Sequence, residues 1–196
     1  LWLLHSLALR AGASRRTAMF AVLALALLPK FVAHSQNNPK DLPATFAITL
    51  AMYAMLKAVE TLTARDAIGA GAAFGFALTT RVHSLFTLPI AGLWIAITRD
   101  RIERHLVVAG FTTLGVGAIA FVALWPWLWP DPIESVPLAF SKLSSKVFAF
   151  PVLYLGEIYS ADQVPWHYRT VQFLATMPLL MLALASLGLA SIGLPR

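Results

Sequence analysis

The chain has 196 residues, a net charge of +6 from 15 Lys/Arg against 9 Asp/Glu, and no cysteine. Its residues are 59% hydrophobic and 12% charged, whereas a soluble domain averages about 45–50% and about 25%; mean hydropathy is +0.74. A single soluble core, a disordered tail, a coiled coil and a disulfide-stapled module are excluded, as are thiol nucleophiles, Cys-bound zinc and iron–sulfur clusters. What remains is an all-α polytopic integral membrane protein.

A helix needs about 20 apolar residues to cross roughly 30 Å of hydrocarbon. In chain order the apolar runs are 1–9, 17–33, 43–56, 67–80, 84–98, 106–128 and 170–193. The first is partial and opens without an initiator Met, so the sequence reads as one transmembrane domain, 1–196, cut from a longer chain. The other six predict about six transmembrane helices. Runs 106–128 and 170–193 span unaided; the middle four are shorter and must tilt or end against polar protein. If the runs alternate, 10–16, 57–66, 99–105 and Arg196 share one side, with nine of the fifteen Lys/Arg. The positive-inside rule makes that side cytoplasmic. Outer loops are then 30–42, 81–83 and 126–169.

Three polar clusters fall on the outer side. The first holds His34, Gln36, Asn37, Asn38 and Asp41 within eight residues, closed by Pro39 and Pro43. His34 and Asp41 are types that bind a divalent metal, yet Asp41 also suits a helix N-cap. The second is Arg81 with His83, interrupting an apolar stretch. It reads either as a tight turn with Arg81 snorkelling to lipid phosphate or as a cation held for an anionic ligand. The third joins Gly156-Glu157 and Asp162 to Pro165-Trp166-His167-Tyr168-Arg169, a mixture suited to carbohydrate or phosphate and also to an interfacial anchor. Trp125, Trp127 and Trp129 read as an aromatic belt or a stacking surface. No HExxH, GxSxG, P-loop or Gly-rich dinucleotide fingerprint occurs. The basic residues sit between apolar runs, which favours lipid head groups over nucleic acid.

Four stretches, 33–43 (AHSQNNPKDLP), 75–89 (GFALTTRVHSLFTLP), 125–132 (WPWLWPDP) and 156–168 (GEIY…PWHY), resemble lipid-dependent glycosyltransferases of the GT-C fold. The resemblance is to the bacterial protein-mannosyltransferase-like branch, glycosyltransferase family 39, with the aminoarabinose transferases. It implies an inverting hexosyl- or pentosyltransferase that moves a sugar from a polyprenyl-phosphate carrier to a lipid, glycan or protein acceptor outside a bacterial inner membrane. Substrate-binding residues would be His34, Asn38, Asp41, Arg81, His83, Glu157, Trp166, His167, Tyr168 and Arg169, with His34 and Asp41 also the candidates for a divalent metal ion. In that family the catalytic base is an acidic residue in the first outer loop, expected upstream of Leu1, so this fragment would lack it. Two other readings compete: a transporter or flippase segment for a lipid-linked or anionic substrate, and a structural membrane subunit whose loops bind partners.

Overall fold

The structure, a computed structural model, describes residues 1–98, 103–144, 151–160 and 162–192. It is built from helices, and the chain divides into two compact units, Leu1–Ser135 and Val136–Arg196.

The first unit begins with α1 (Trp2–Arg10), α2 (Arg15–Ala26) and α3 (Pro29–Asn37). The expected span 17–33 is not one straight helix. Leu28 is extended because it precedes Pro29, and α2 and α3 meet at a 57° bend. Pro29 then opens α3, where its missing N–H costs nothing. Most of the predicted loop 30–42 is therefore helical. Helix α4 (Asp41–Thr61) is 21 residues long, about 31 Å at 1.5 Å per residue, enough to cross a bilayer core. Its buried residues Ala44, Ala47, Ala51, Met55 and Ala58 recur every three or four positions, marking one face.

A two-residue turn follows. Leu62 caps α4 in the left-handed region at φ 53°. Thr63 then caps α5 (Ala64–Thr80): its Oγ1 accepts from the Asp66 N–H at 3.2 Å and donates to the Asp66 carboxylate at 3.0 Å. After α5, a 3₁₀ turn (Val82–Phe86) leads into α6 (Thr87–Thr98). Helix α7 (Arg104–Ala123) crosses α5 through Gly75 and Gly117. A Cβ at Gly75 would lie 2.5 Å from the Gly117 carbonyl oxygen, and one at Gly117 would lie 2.8 Å from the Phe74 ring. Thr113 Oγ1 donates across the same crossing to the Ala67 carbonyl at 3.3 Å. Small residues spaced by four let membrane helices approach this closely.

The core is accordingly rich in Ala and Gly, while Phe111 and Ile119 on α7 are 73% and 70% exposed. Bulk faces outward and small residues pack inward, as suits a protein solvated by lipid. Past α7, the tryptophans bracket a second 3₁₀ turn (Pro126–Leu128). The Trp125 ring meets Phe121 edge-on at 5.3 Å, and Trp129 Nε1 donates to the Val122 carbonyl at 3.0 Å.

Helix α8 (Pro132–Ser144) runs from the first unit into the second. The second unit also holds an antiparallel hairpin, β1 (Pro151–Tyr154) and β2 (Glu157–Ser160). Its tip, Leu155 at φ 52° and Gly156 at φ 91°, has the two left-handed residues of a tight hairpin turn. Helices α9 (Tyr168–Thr176) and α10 (Leu179–Ile192) close the described chain. The segment 126–169, read as loop, thus contains a helix and the one departure from all-α structure among the described residues.

The expected span 170–193 is broken. Met177 is extended ahead of Pro178, and α9 turns 110° from the helix that follows. Among the described residues, α4 and α7 are long and apolar enough to cross a membrane alone, and each bent pair adds one more if it counts as one span. The chain is an all-α integral membrane protein, with run 84–98 shortened by the 3₁₀ turn. The expected total of six crossings rests on the apolar runs alone, and residues 99–102 of the proposed inner segment 99–105 lie outside the described residues.

Candidate functional site

The first polar cluster forms where α3 hands over to α4. Asn38 caps α3 and uses every polar atom of its side chain. Its Oδ1 accepts from the backbone N–H of Lys40 at 3.2 Å and of Asp41 at 2.9 Å, which pins the start of α4. Its Nδ2 donates to Asp41 Oδ2 at 2.7 Å and to His34 Nδ1 at 3.2 Å. An amide nitrogen can only donate, so His34 carries its own proton on Nε2. The capping role expected of Asp41 belongs to Asn38.

Asp41 instead pairs with Arg81 through Oδ1 and Nη2. The two are 40 residues apart and meet because α4 and α5 are antiparallel. Each suits its helix end: the carboxylate lies at the positive N-terminus of α4 and the guanidinium at the negative C-terminus of α5. Both side chains stay open, 56% and 36% exposed. His83 follows on the 3₁₀ turn and is exposed. Four predicted residues, His34, Asn38, Asp41 and Arg81, therefore form one connected group.

Beside them is a pocket of about 250 Å³. Lys30, His34 and Asp41 form its polar rim, and Leu25, Leu28, Phe31 and Leu42 give it an apolar wall. Lys30 was not singled out in the sequence. The signal was present, since Lys30 and His34 are four apart on a helix that begins at Pro29.

Among the described residues no three His, Asp or Glu side chains gather closely enough to hold a metal ion. His34 and Asp41 share the pocket rim, but Asn38 stands between them and Arg81 already occupies the carboxylate.

The opposite end of the same helix pair carries a different ionic group. Lys57 Nζ lies 2.7 Å from Asp66 Oδ1, and Thr61 and Thr63 donate to Asp66 Oδ2 at 2.8 and 3.0 Å. The hydrogen bonds from Lys57, Thr61 and Thr63 hold the Asp66 carboxyl down to about 2. Nearby, Arg10 pairs with Glu60 and stacks 4.9 Å over the Tyr53 ring.

In the second unit the structure gathers Tyr154, Tyr159, His167 and Tyr168. The Tyr154 ring lies 5.1 Å from Tyr168, edge-on, and 5.7 Å from His167. Tyr159 donates to Glu157 at 2.7 Å, and that bond to a carboxylate raises the phenol above its ordinary value. Trp166 meets the His167 ring edge-on yet is 90% exposed, and Arg169 is exposed at the start of α9. Tyr154 and Tyr159 were not predicted. Both alternate onto the inner face of a hairpin that sequence periodicity did not reveal.

Helices with small-residue cores and outward bulk, and ion pairs near their ends, define an integral membrane protein with a candidate site at a helix mouth. The profile of the dolichyl-phosphate-mannose-protein mannosyltransferase family matches residues 1–129. That range includes the whole His34–Arg81 group and the tryptophan run, and the chain belongs to this family: it is a membrane glycosyltransferase of the GT-C type. No curated protein and no solved structure matches it.

Proposed function

We propose that the chain transfers a sugar from a polyprenyl-phosphate carrier to an acceptor on the non-cytoplasmic side of a bacterial inner membrane, with inversion at the anomeric carbon. The observation that carries this reading is the pocket between α2, α3 and α4. An apolar wall ending in a rim of Lys30, His34 and Asp41, with Arg81 ion-paired to Asp41, matches a ligand with a hydrocarbon tail and a phosphate head. Residues 30–41 and 81–83 hold Lys30, Lys40 and Arg81 against the single carboxylate of Asp41, a cation excess suited to an anion.

In the transfer, the acceptor oxygen attacks the anomeric carbon and the bond to the phosphate oxygen breaks. That oxygen keeps the electron pair, and the acceptor proton goes to a base. Arg81, Lys30 and His34 stabilise the phosphate charge that develops. Asp41 is a poor choice for the base because Asn38 and Arg81 engage its two oxygens. We assign the base to a carboxylate outside this group. Asp41 positions Arg81, and Asn38 orders the helix junction. His83 lies close in sequence to Arg81 and is assigned to the same donor end. Glu157, Trp166, His167, Tyr168 and Arg169 are assigned to substrate binding in the second unit, where aromatic faces suit a sugar.

The test is release of label from radiolabelled polyprenyl-phosphate sugars by the full-length protein in detergent. Release that falls about 100-fold with Arg81→Ala, in a protein that stays folded, supports the reading; one oxyanion-type donor is typically worth 10²–10³ in rate. Tight carrier binding without release, under several sugars, would overturn it.

A further inference from the structure

The hairpin of the second unit has two unlike faces. In its register Leu153 pairs with Ile158, while Val152 pairs with Tyr159 and Tyr154 with Glu157. Side chains alternate along a strand, so paired residues share a face. The Tyr154 and Tyr159 face is packed: Tyr154 is 7% exposed and sits against His167 and Tyr168. The other face is bare. Leu153, Ile158 and the tip residue Leu155 are 71%, 75% and 81% exposed, leaving three large aliphatic side chains without cover. A monomer in water rarely keeps such a patch on a short hairpin.

The position of the hairpin indicates what covers that face. Tyr154 rests directly on Tyr168, the first residue of α9, which fixes the hairpin at the depth of that residue. After α9 the chain bends 110° into α10, whose residues Leu179, Leu180, Leu184, Leu187 and Leu189 are exposed and aliphatic. If α10 points into the bilayer, a helix bent 110° from it runs close to the membrane plane. Helix α9 suits that place: Val171 and Leu174 share one side, and Arg169, Thr170 and Gln172 supply polar ones. Trp166, Tyr168 and Arg169 are residue types that settle at the head-group boundary.

We infer that the hairpin at 151–160 is a lipid-surface anchor, its Leu153, Leu155 and Ile158 inserted at the head-group and acyl boundary. The anchor tethers the Tyr154–His167–Tyr168 group to the bilayer. The inference is independent of the sugar-transfer reading, since a protein with any activity could carry such an anchor.

Residues 1–196 contain no cysteine, so single-cysteine nitroxide labelling, with any cysteine elsewhere in the full-length protein replaced by serine, tests this directly. Leu155→Cys, with Leu153→Cys as a second site, would be labelled in the full-length protein in phosphatidylethanolamine–phosphatidylglycerol nanodiscs. Collision with oxygen, which concentrates in lipid, would be compared with collision with a water-soluble nickel chelate. Phe111→Cys, exposed on the membrane helix α7, supplies the lipid reference, and Arg15→Cys supplies the water reference. The expected result is an oxygen-to-nickel ratio at residues 153 and 155 at least threefold above that of residue 15. A ratio equal to that of residue 15 would overturn the anchor. Protection from both reagents would overturn it as well, because protein and not lipid would then cover the face.

Discussion

The two ends of the α4–α5 hairpin use the same chemistry for different ends. At one, Lys57, Thr61 and Thr63 all serve the Asp66 carboxylate, and Arg10 is divided between Glu60 and Tyr53. Both carboxylates there are paired, Glu60 with Arg10 and Asp66 with Lys57, and Asp66 also belongs to the cap of α5. At the other, a single carboxylate, Asp41, stands among Lys30, Lys40 and Arg81. An ionic group whose carboxylates serve a helix cap closes a turn, whereas the surplus cations beside the apolar-walled pocket are the ones proposed to bind an anion. The comparison shows that an ion pair at a membrane helix end takes its meaning from its neighbours and not from its own geometry.

The largest expected effect would remove both ends at once. Gly75→Leu places a side chain where even a Cβ lies 2.5 Å from backbone, so α5 and α7 must separate. We expect destabilisation of about 3 kcal/mol or more, since overpacking typically costs 1–3 kcal/mol and here the obstacle is backbone. Thermal unfolding in detergent reads it, and an unchanged midpoint would show that the crossing is looser than described.

Next come the two carboxylates. Asp41→Asn is expected to lower sugar release about tenfold with little change in the unfolding midpoint, because it frees Arg81 from its position. Asp66→Asn should do the reverse, lowering the midpoint while release stays within twofold. If both variants behave alike, the distinction between the two ends is lost.

A smaller effect concerns pH. Asp66 titrates at about 2 when folded and near 3.8 when unfolded. A depressed folded value means that its contribution is present above pH 4 and disappears as pH falls from about 4 toward 2. The unfolding midpoint of the parent protein should therefore drop more steeply over that window than that of Asp66→Asn. Parallel curves would remove Asp66 from the cap. The mildest probe leaves stability untouched: Arg65→Cys and Lys40→Cys, both exposed, should react with an impermeant maleimide from opposite sides of the membrane. Reaction from one side would contradict the assignment of the two ends to opposite faces.

Much of this was legible in the sequence. Apolar runs located most of the helices, and the residue types at His34, Asn38, Asp41 and Arg81 marked a candidate site whose members the structure brings into contact. The ion pair between Asp41 and Arg81 was not legible, because it depends on α4 and α5 being antiparallel and joined by only two residues. Asn38 as hub was missed for a related reason: an Asp just ahead of Pro43 looks like a cap until Asn38 takes the Asp41 N–H. The breaks at Pro29 and Pro178 were visible as prolines, yet a hydropathy window averages across them. The hairpin was hidden by its length, since four-residue strands are too short to display alternation against an apolar background.

In the proposed transfer the cation-rich end holds the donor phosphate. The direct measurement is release of label from a polyprenyl-phosphate sugar by full-length protein in nanodiscs, comparing Arg81→Ala with Lys57→Ala. Each removes one partner of an ion pair at one end of the same two helices. The expected result is a loss of about 100-fold for Arg81→Ala, as for one oxyanion-type donor, and a rate within about threefold of the parent for Lys57→Ala. Equal losses in the two variants, or none in Arg81→Ala, would contradict it.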